Sequence, residues 1–237
     1  MFTFLFQSNF WLIATAVIPA LILMFLVYRM DRLEREPKKL LIRLVLCGCA
    51  AAVLSMITES VGNAVLGYLV PEESTLYYVL MFFIVVAGSE EGFKYLLTKK
   101  ATWNSPEFNC QFDGIVYAVF TALGFALFEN VGYVIMYGFG TALLRAVTAI
   151  PGHACFGVFM GIWYGMAKRY EHAGLLNRSA VCRKMAVIMP MILHGIYDFI
   201  AVTAGDYGVI IFGVFIILMF AIALIKTRRT ARNDQYI

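Results

Sequence analysis

Long apolar runs alternate with short polar loops along the chain. A run of about 20 residues is long enough to cross the hydrocarbon core of a bilayer as a helix. Runs of this kind occupy residues 9–28, 40–60, 75–98, 112–137, 142–168, 184–204 and 207–226. Helices satisfy all their backbone hydrogen bonds internally, as lipid requires. The pattern therefore predicts an all-α fold, a polytopic membrane helix bundle with about seven transmembrane helices.

Lysine and arginine concentrate in every second loop. The first, third and fifth loops and the C-terminal segment contain them, whereas the second, fourth and sixth loops contain none. Cytoplasmic loops of membrane proteins carry an excess of these residues. The alternation predicts an N-terminus outside the cell and a C-terminus in the cytoplasm, with a short cytoplasmic tail at 227–237.

Composition agrees with a chain that lies almost wholly in a cell membrane. Of its 237 residues, 62% are hydrophobic, against about 45–50% in soluble domains. We expect one transmembrane domain over residues 1–237, with the lipid bilayer around it. The net charge of +4 does not indicate a nucleic-acid partner, because the basic residues lie in membrane loops.

Four of the apolar runs contain carboxylates or histidines well inside their ends. Each charged residue costs about 2.5–3.5 kcal/mol at the centre of a membrane helix, so we expect a function or a partner for each. The residues are Glu90, Glu91 and Lys94 in the third run, Glu129 in the fourth, His153 in the fifth, and His194 and Asp198 in the sixth.

The spacing of these residues indicates which ones share a helix face. Lys94 follows Glu90 by four residues and Glu91 by three, so all three lie on one side of a helix. An ion pair with Lys94 accounts for one carboxylate and leaves the other as a candidate general base. Asp198 follows His194 by four residues, and it can either orient the imidazole or line the same cavity.

Proline precedes the histidine of the fifth run. Pro151 removes a backbone hydrogen bond, which predicts a bend in a continuous helix at this point. A polar residue at a bend in mid-membrane usually faces a cavity. We therefore expect His153 to face the same cavity as the other polar residues.

Two kinds of hydrolytic chemistry are compatible with these residue types. Glu129, His153 and His194 are the ligand types of a catalytic Zn²⁺ site with an open position for water. A separate glutamate would then accept a proton from that water. Without a metal, a glutamate and a histidine can activate water while other polar groups stabilise the oxyanion. The residues alone leave both interpretations open.

Depth along the helices gives a further test of whether these residues meet. At 1.5 Å per residue, Glu129, His153 and Asp198 lie about 20–25 Å from the predicted cytoplasmic ends, and His194 about 15 Å. Glu90 lies only about 10 Å from its predicted end, so this estimate places it apart from the others.

Three charged residues near the ends of runs have simpler interpretations. Arg145 lies near the predicted outer end of the fifth span, where its side chain can reach the interface. Asp113 begins the fourth span, where an acid stabilises a helix N-terminus. Glu59 lies near the outer end of the second span and is expected to face the interface.

At these residues the chain resembles the PrsW family of intramembrane proteases. The matching stretches are EEGFK at 90–94, FDGIVY at 112–117, LGFALFEN at 123–130, RA at 145–146, GHA at 152–154 and HGIYDF at 194–199. The resemblance covers residues 85–200 in consistent order, and the loop at 31–37 is more loosely similar. PrsW proteins are in turn similar to type II CAAX-processing and bacteriocin-processing proteases.

The resemblance implies an intramembrane endopeptidase of a bacterial cell membrane. Its substrate would be a single-pass membrane protein, an anti-sigma factor cut on its extracytoplasmic side in an envelope-stress response. The family has been described both as metallo-type and as glutamic-type, so the resemblance leaves the metal open. An ion-coupled transporter or a non-catalytic membrane scaffold is the alternative, since intramembrane carboxylates and histidines also form proton relays.

Overall fold

The computed structural model describes residues 2–203 and 205–237, with side chains from residue 14 onward. The helices are α1 Phe2–Met30, α2 Lys38–Leu69, α3 Thr75–Val79, α4 Ala87–Thr102, α5 Asp113–Tyr137, α6 Phe139–Val147, α7 Ala149–His172, α8 Leu176–Thr203 and α9 Gly208–Arg232. A π-helical segment, Leu80–Val86, joins α3 to α4, so these three elements form one continuous rod. A 3₁₀ turn at Gly205–Tyr207 precedes α9.

The predicted all-α membrane bundle is confirmed. Six helical stretches are long and apolar enough to cross a membrane. They are Lys38–Leu69, Thr75–Thr102, Asp113–Tyr137, Phe139–His172, Leu176–Thr203 and Gly205–Arg232. The first predicted span falls in α1, whose apolar part within the residues with described side chains is the shorter stretch Ala14–Met30.

Helix α5 forms the centre of the bundle, and α2 and α7 pack against it with their backbones nearly in contact. A Cβ atom on Gly48 of α2 would overlap the backbone oxygen of Thr121, and one on Gly161 of α7 would overlap the Cα atom of Ile115. Most residues of α5 from Asp113 to Ala126 are buried. Small residues permit this close approach, which is a main source of packing energy between helices in lipid.

Several helices extend beyond the apolar runs that predict them. Helix α2 continues to Leu69, nine residues past the predicted end, and α8 begins at Leu176, eight residues before its predicted start. An apolar run marks only the apolar part of a helix, so it gives a minimum length. The helix itself continues until a residue that favours another backbone conformation ends it. Helix α7 ends before Gly174, whose φ of 71° is a conformation that favours glycine.

The bend predicted at Pro151 is instead a break between two helices. Helix α6 ends at Val147 and α7 begins at Ala149, with Thr148 between them at φ −117° and ψ −71°. Pro151 is the third residue of α7, where a missing N–H interrupts no intrahelical hydrogen bond. His153 consequently lies in the N-terminal part of α7.

The last five residues fold back onto the loop that precedes α5. The predicted tail at 227–237 begins within α9, which continues to Arg232. The backbone N–H of Ile237 then donates to the carbonyl of Asn109 at 2.8 Å. The backbone N–H of Phe112 donates to Oδ1 of Asp234 at 3.0 Å. The end of the chain is thus attached to the start of α5.

Candidate active site

Lys94 of α4 lies at the centre of the intramembrane polar residues and is fully buried. Its Nζ donates to Oε2 of Glu90 at 2.9 Å and to Oε1 of Glu91 at 2.8 Å. The same Nζ lies 3.3 Å from Nδ1 of His153 and 3.8 Å from the centre of the Phe125 ring. One ammonium group therefore contacts both carboxylates, which explains how two adjacent glutamates are accommodated in this interior.

His194 of α8 is held from both sides of its ring. Its Nδ1 lies 3.0 Å from Oε1 of Glu91 and 3.8 Å from Oε2 of Glu90. Its Nε2 lies 3.3 Å from Oδ2 of Asp198. The ring of Phe156 stacks on the imidazole at a centroid distance of 4.7 Å. Partners on both nitrogens fix the orientation of a histidine, and Asp198 supplies one of them.

Glu129 of α5 joins the remaining histidine to an arginine. Oε2 of Glu129 lies 3.0 Å from Nε2 of His153 and accepts from Nη2 of Arg145 at 2.8 Å. Nε of Arg145 also donates to Oδ1 of Asn130 at 3.0 Å. The prediction that Arg145 reaches for the interface is therefore wrong, because its guanidinium is directed at Glu129.

All seven residues singled out in the sequence form one connected group, here called the polar set. Its members are Glu90, Glu91, Lys94, Glu129, His153, His194 and Asp198. The side chains of Lys94 and Glu91 are 0% exposed, whereas those of Glu129 and Asp198 are 24% and 22% exposed. The polar set is thus closed at Lys94 and open along the edge formed by Glu129 and Asp198.

The depth estimate that separated Glu90 from the other residues is wrong. The hydroxyl of Thr98 donates to that of Thr121 at 2.9 Å, which places these two residues at the same level. Glu90 precedes Thr98 by eight residues and Glu129 follows Thr121 by eight, so both lie about 12 Å from this pair. Helix α5 begins eight residues before Thr121, but α4 ends only four after Thr98. The estimate failed because it assumed that the helix ends are level.

The ligand atoms that converge in the polar set belong to Glu90, Glu91 and His153, and lie within 4.8 Å of one another. Of the predicted metal ligands Glu129, His153 and His194, this group includes only His153. Two carboxylates and an imidazole are donors that Zn²⁺ accepts. However, the ammonium of Lys94 contacts all three side chains. A cation does not fit among them while that ammonium holds its place, so no catalytic step is assigned to a metal.

Two residues next to the polar set, Glu59 and Arg145, were not recognised from the sequence as part of this region. Ser89 donates from Oγ to Oε1 of Glu59 at 3.3 Å, so Glu59 faces α4 and not the interface. Arg145 is the other residue. It is charged and lies within an apolar run, which is the same signal that singled out the seven residues, but its position near the predicted span end favoured another interpretation.

Comparison with known proteins shows the family of the chain. A family model described as "PrsW family intramembrane metalloprotease" matches residues 36–225. Protease PrsW of Clostridioides difficile (strain 630) is 35% identical over 227 residues, which cover 93% of this chain and 91% of that protein. No solved structure matches the chain.

Two further relatives show a similar extent of similarity. Protease PrsW of Oceanobacillus iheyensis is 32% identical over 222 residues, covering 94% of this chain and 97% of that protein. Protease PrsW of Bacillus subtilis (strain 168) is 26% identical over 201 residues, covering 84% and 86%. The stretch that the family model matches includes every residue of the polar set. The chain is a multi-pass bacterial membrane protein that belongs to the PrsW family of intramembrane proteases.

Proposed function

We propose that the polar set hydrolyses a peptide bond of a single-pass membrane protein near the extracytoplasmic face, by a metal-free glutamic mechanism. The observation that carries this proposal is the contact of one ammonium, that of Lys94, with Glu90, Glu91 and His153. This contact places a fixed positive charge where a metalloprotease would hold its ion. The site then has a base, a cation and two oriented imidazoles, which suffice for attack of water on a carbonyl.

The two glutamates take different roles in this mechanism. The side chain of Glu91 is 0% exposed, and its Oε1 accepts from Lys94 and contacts His194. The side chain of Glu90 retains 7% exposure, so it is the carboxylate that a water molecule reaches more readily. Glu90 accepts the proton of the attacking water, and Glu91 holds Lys94 and His194 in place.

Positive groups around the glutamates stabilise the charge that develops during attack. The carbonyl oxygen of the scissile bond becomes an oxyanion in the tetrahedral intermediate, and Lys94 and His153 lie beside the base to stabilise it. The proton held by Glu90 then passes to the leaving amine, which regenerates the carboxylate. His194, oriented by Asp198, keeps Glu91 in position throughout.

The open edge of the polar set supports a cut near the outer face. Glu129 and Asp198 are its most exposed members, and the predicted orientation places them in the outer half of the membrane. A substrate helix must unwind locally there, because each of its peptide bonds is otherwise protected by an i to i−4 hydrogen bond. The anti-sigma factor as substrate and the first cut of an envelope-stress response rest on the family resemblance.

Membrane proteomics would test the function and identify the substrate together. Cells with the wild-type protein are compared with cells carrying Glu90→Gln/Glu91→Gln, and with a control carrying Glu73→Gln at an exposed loop carboxylate. We expect one single-pass protein to accumulate intact in the double variant only, with loss of a new terminus near its outer interface. If no terminus changes although both proteins are present, the proposed protease function fails. Proton-gradient-dependent transport in liposomes would then test the transporter alternative.

Selective chelation tests the mechanism separately from the substrate. Purified protein is assayed on the identified substrate with 1,10-phenanthroline, which binds transition metals and spares Mg²⁺ and Ca²⁺. We expect unchanged cleavage and less than 0.1 equivalent of zinc, on the order of contamination, by elemental analysis. Loss of cleavage that added Zn²⁺ restores would overturn the metal-free mechanism and leave the protease function intact.

A fusion reporter tests the orientation on which the cut side depends. Alkaline phosphatase is active only outside the cytoplasm, so a fusion after Ile237 is expected to be inactive and a fusion after Glu73 active. The opposite pattern would place the open edge of the polar set at the cytoplasmic face and would reverse the predicted side of the cut.

A further inference from the structure

A second group of buried carboxylates lies at the opposite end of the bundle. It consists of Asp31 in the loop after α1, Glu36 just before α2, and Asp113 at the start of α5, here called the acidic cluster. These residues are 2%, 5% and 1% exposed. One carboxylate oxygen from each lies within 4.8 Å of the other two. Glu129 follows Asp113 by sixteen residues along α5, so the acidic cluster lies about 24 Å from the polar set.

The surrounding chain holds some of these oxygens in place. Oε1 of Glu36 accepts from the Tyr117 hydroxyl at 2.8 Å. Oδ2 of Asp113 accepts from the backbone N–H of Asn109 at 3.0 Å and of Cys110 at 2.6 Å. Asp113 therefore holds the preceding loop, and does not cap α5 as the sequence suggested. These contacts orient Glu36 and Asp113 toward a shared centre.

Three further oxygens of the acidic cluster are buried without a partner. Among the residues that the structure describes, neither oxygen of Asp31 has a hydrogen-bond partner, and neither does Oε2 of Glu36. Asp234 of the C-terminal segment lies nearby and has an unpartnered Oδ2 of its own. A buried acceptor without a partner costs about 1–3 kcal/mol, and more if it is charged. Several such oxygens in one place indicate a missing positive group.

The protein supplies no such group from its own described side chains. No lysine or arginine of the described chain forms an ion pair with Asp31, Glu36 or Asp113. Burial, and then the charge of Asp234, raise the pKa of Asp31 to about 7, although Arg35 acts in the opposite direction. Burial also raises the pKa of Glu36 to about 8. The acidic cluster is thus electrostatically unfavourable when it is empty and ionised.

We propose that Asp31, Glu36 and Asp113 bind a hard divalent cation, Mg²⁺ or Ca²⁺. All of the ligands are carboxylate oxygens, which these ions prefer, and the cluster contains no imidazole or thiolate that would favour zinc. Oxygens on opposite sides of Ca²⁺ lie about 5 Å apart and those around Mg²⁺ about 4 Å, and the carboxylate oxygens of the cluster lie within 4.8 Å of one another, close enough to share one ion. Waters complete the coordination.

The bound cation ties the loop between α1 and α2 to the start of α5. Asp31 and Glu36 come from the loop between α1 and α2, and Asp113 comes from the start of the central helix α5. Asp234 brings the C-terminal segment to the same place through its contact with Phe112. The cation therefore stabilises the end of the bundle that contains the loop between α1 and α2. This role does not depend on the proposed function.

Thermal unfolding of the purified full-length protein in detergent tests the proposal. The protein is treated with EDTA, dialysed and titrated separately with Mg²⁺, Ca²⁺ and Zn²⁺. Unfolding is followed with a fluorogenic maleimide, because Cys110 beside the acidic cluster is 1% exposed until the protein opens. We expect Mg²⁺ or Ca²⁺ to raise the Tm by about 3–6 °C at ten times its Kd, with one cation bound per chain by equilibrium dialysis.

Matched variants locate the binding site. We expect Asp31→Asn and Glu36→Gln each to reduce cation affinity at least tenfold, because each variant removes one ligand carboxylate and such losses cost roughly ten- to a hundredfold in metal affinity. Glu34→Gln, at an exposed carboxylate of the same loop, keeps the response, as does Glu90→Gln/Glu91→Gln in the polar set. Dialysis reads binding directly, so a less stable variant remains informative.

Three results would overturn the proposal. The first is no saturable binding of Mg²⁺ or Ca²⁺ by the wild-type protein up to about 10 mM, roughly ten times the Kd of the weakest extracellular calcium modules. The second is stoichiometric binding of Zn²⁺ alone. The third is unchanged Mg²⁺ or Ca²⁺ binding in both Asp31→Asn and Glu36→Gln, which would place the cation elsewhere.

Discussion

The polar set and the acidic cluster are both built around buried carboxylates, but they are neutralised in different ways. In the polar set, Glu90 and Glu91 face the ammonium of Lys94, and Glu129 faces the guanidinium of Arg145. In the acidic cluster, no described lysine or arginine contacts Asp31, Glu36 or Asp113. One region carries its own counter-charges, and the other requires a proton or an ion from outside.

The difference follows from where the carboxylates come from. Glu90, Glu91 and Lys94 lie within one helical turn of α4, so the counter-charge forms together with the helix. The residues of the acidic cluster come from the loop between α1 and α2 and from the N-terminus of α5, which meet only after the bundle has assembled. Internal charge pairing makes the polar set independent of the medium, whereas the acidic cluster responds to it.

Removing the internal counter-charge is expected to have the largest effect. Lys94→Met leaves Glu90 and Glu91 buried without a cation, which destabilises a protein by about 3–5 kcal/mol. We expect a large drop in the free energy of unfolding, measured with denaturant in detergent, together with loss of cleavage. Lys100→Met at an exposed lysine is the control. Near-wild-type stability of Lys94→Met would mean that the polar set does not depend on this charge.

Removing one hydroxyl donor from the acidic cluster is expected to have the next largest effect. Tyr117→Phe leaves Oε1 of Glu36 without its hydrogen bond of 2.8 Å, at a cost of about 1.5–3 kcal/mol. We expect this loss to shrink when Mg²⁺ or Ca²⁺ saturates the cluster, because the cation compensates Glu36. Tyr95→Phe is the control, since the Tyr95 hydroxyl has no partner among the described residues. An equal loss with and without cation would separate Tyr117 from the cation site.

At the open edge of the polar set, the effect should appear in the reaction more than in stability. Arg145→Gln removes the pair with Glu129, whose side chain is 24% exposed. The side chains of Arg145 and Glu129 are 15% and 24% exposed, so the pair is only partly buried and we expect a smaller loss of stability than in Lys94→Met. We expect about a tenfold fall in cleavage rate, because Glu129 beside His153 is no longer held by Arg145. Arg145→Lys should restore part of the rate. Unfolding that changes as much as in Lys94→Met would contradict an open edge.

The hydroxyl pair that lies between the two regions should give the smallest effect. Thr98→Val removes the hydrogen bond of 2.9 Å to Thr121, at a cost of about 1 kcal/mol. Thr98→Val/Thr121→Val removes both hydroxyls, so no polar group is left unpaired and stability should recover. If the double variant is as unstable as the sum of the single variants, the pair does not set the level of α4 against α5.

The spans were predictable because hydropathy dominates the behaviour of a chain in lipid. All six long helical stretches coincide with predicted runs, and the seven residues of the polar set were identified as charges within apolar segments. The helix ends were not predictable, since α2 and α8 continue beyond the predicted apolar runs without a break in the sequence. The break at Thr148 was not predicted, because Pro151, three residues further along, indicated a bend in a continuous helix.

The contacts within the polar set were only partly predictable. Pairs on one helix, such as Glu91 with Lys94 and His194 with Asp198, follow from spacing alone. Pairs between helices, such as Glu129 with His153, depend on the relative height of the helices, which the glycine contacts and the threonine pair determine. The acidic cluster had no clear signal in hydropathy, because Asp31 and Glu36 lie outside the apolar runs and Asp113 lies at the very start of one.

The π-helical segment Leu80–Val86 has a consequence for how the length of this protein can vary. The backbone N–H of Ala87 donates to the carbonyl of Phe82, five residues back, where an α-helix would use the fourth. Such a wide turn corresponds to one residue added to an α-helix. Deleting one residue here would convert the wide turn into a regular α-helical turn and leave α3 and α4 in nearly the same register. The segment is therefore a point where we expect the loss of one residue to leave the contacts of Glu90 to Lys94 undisturbed.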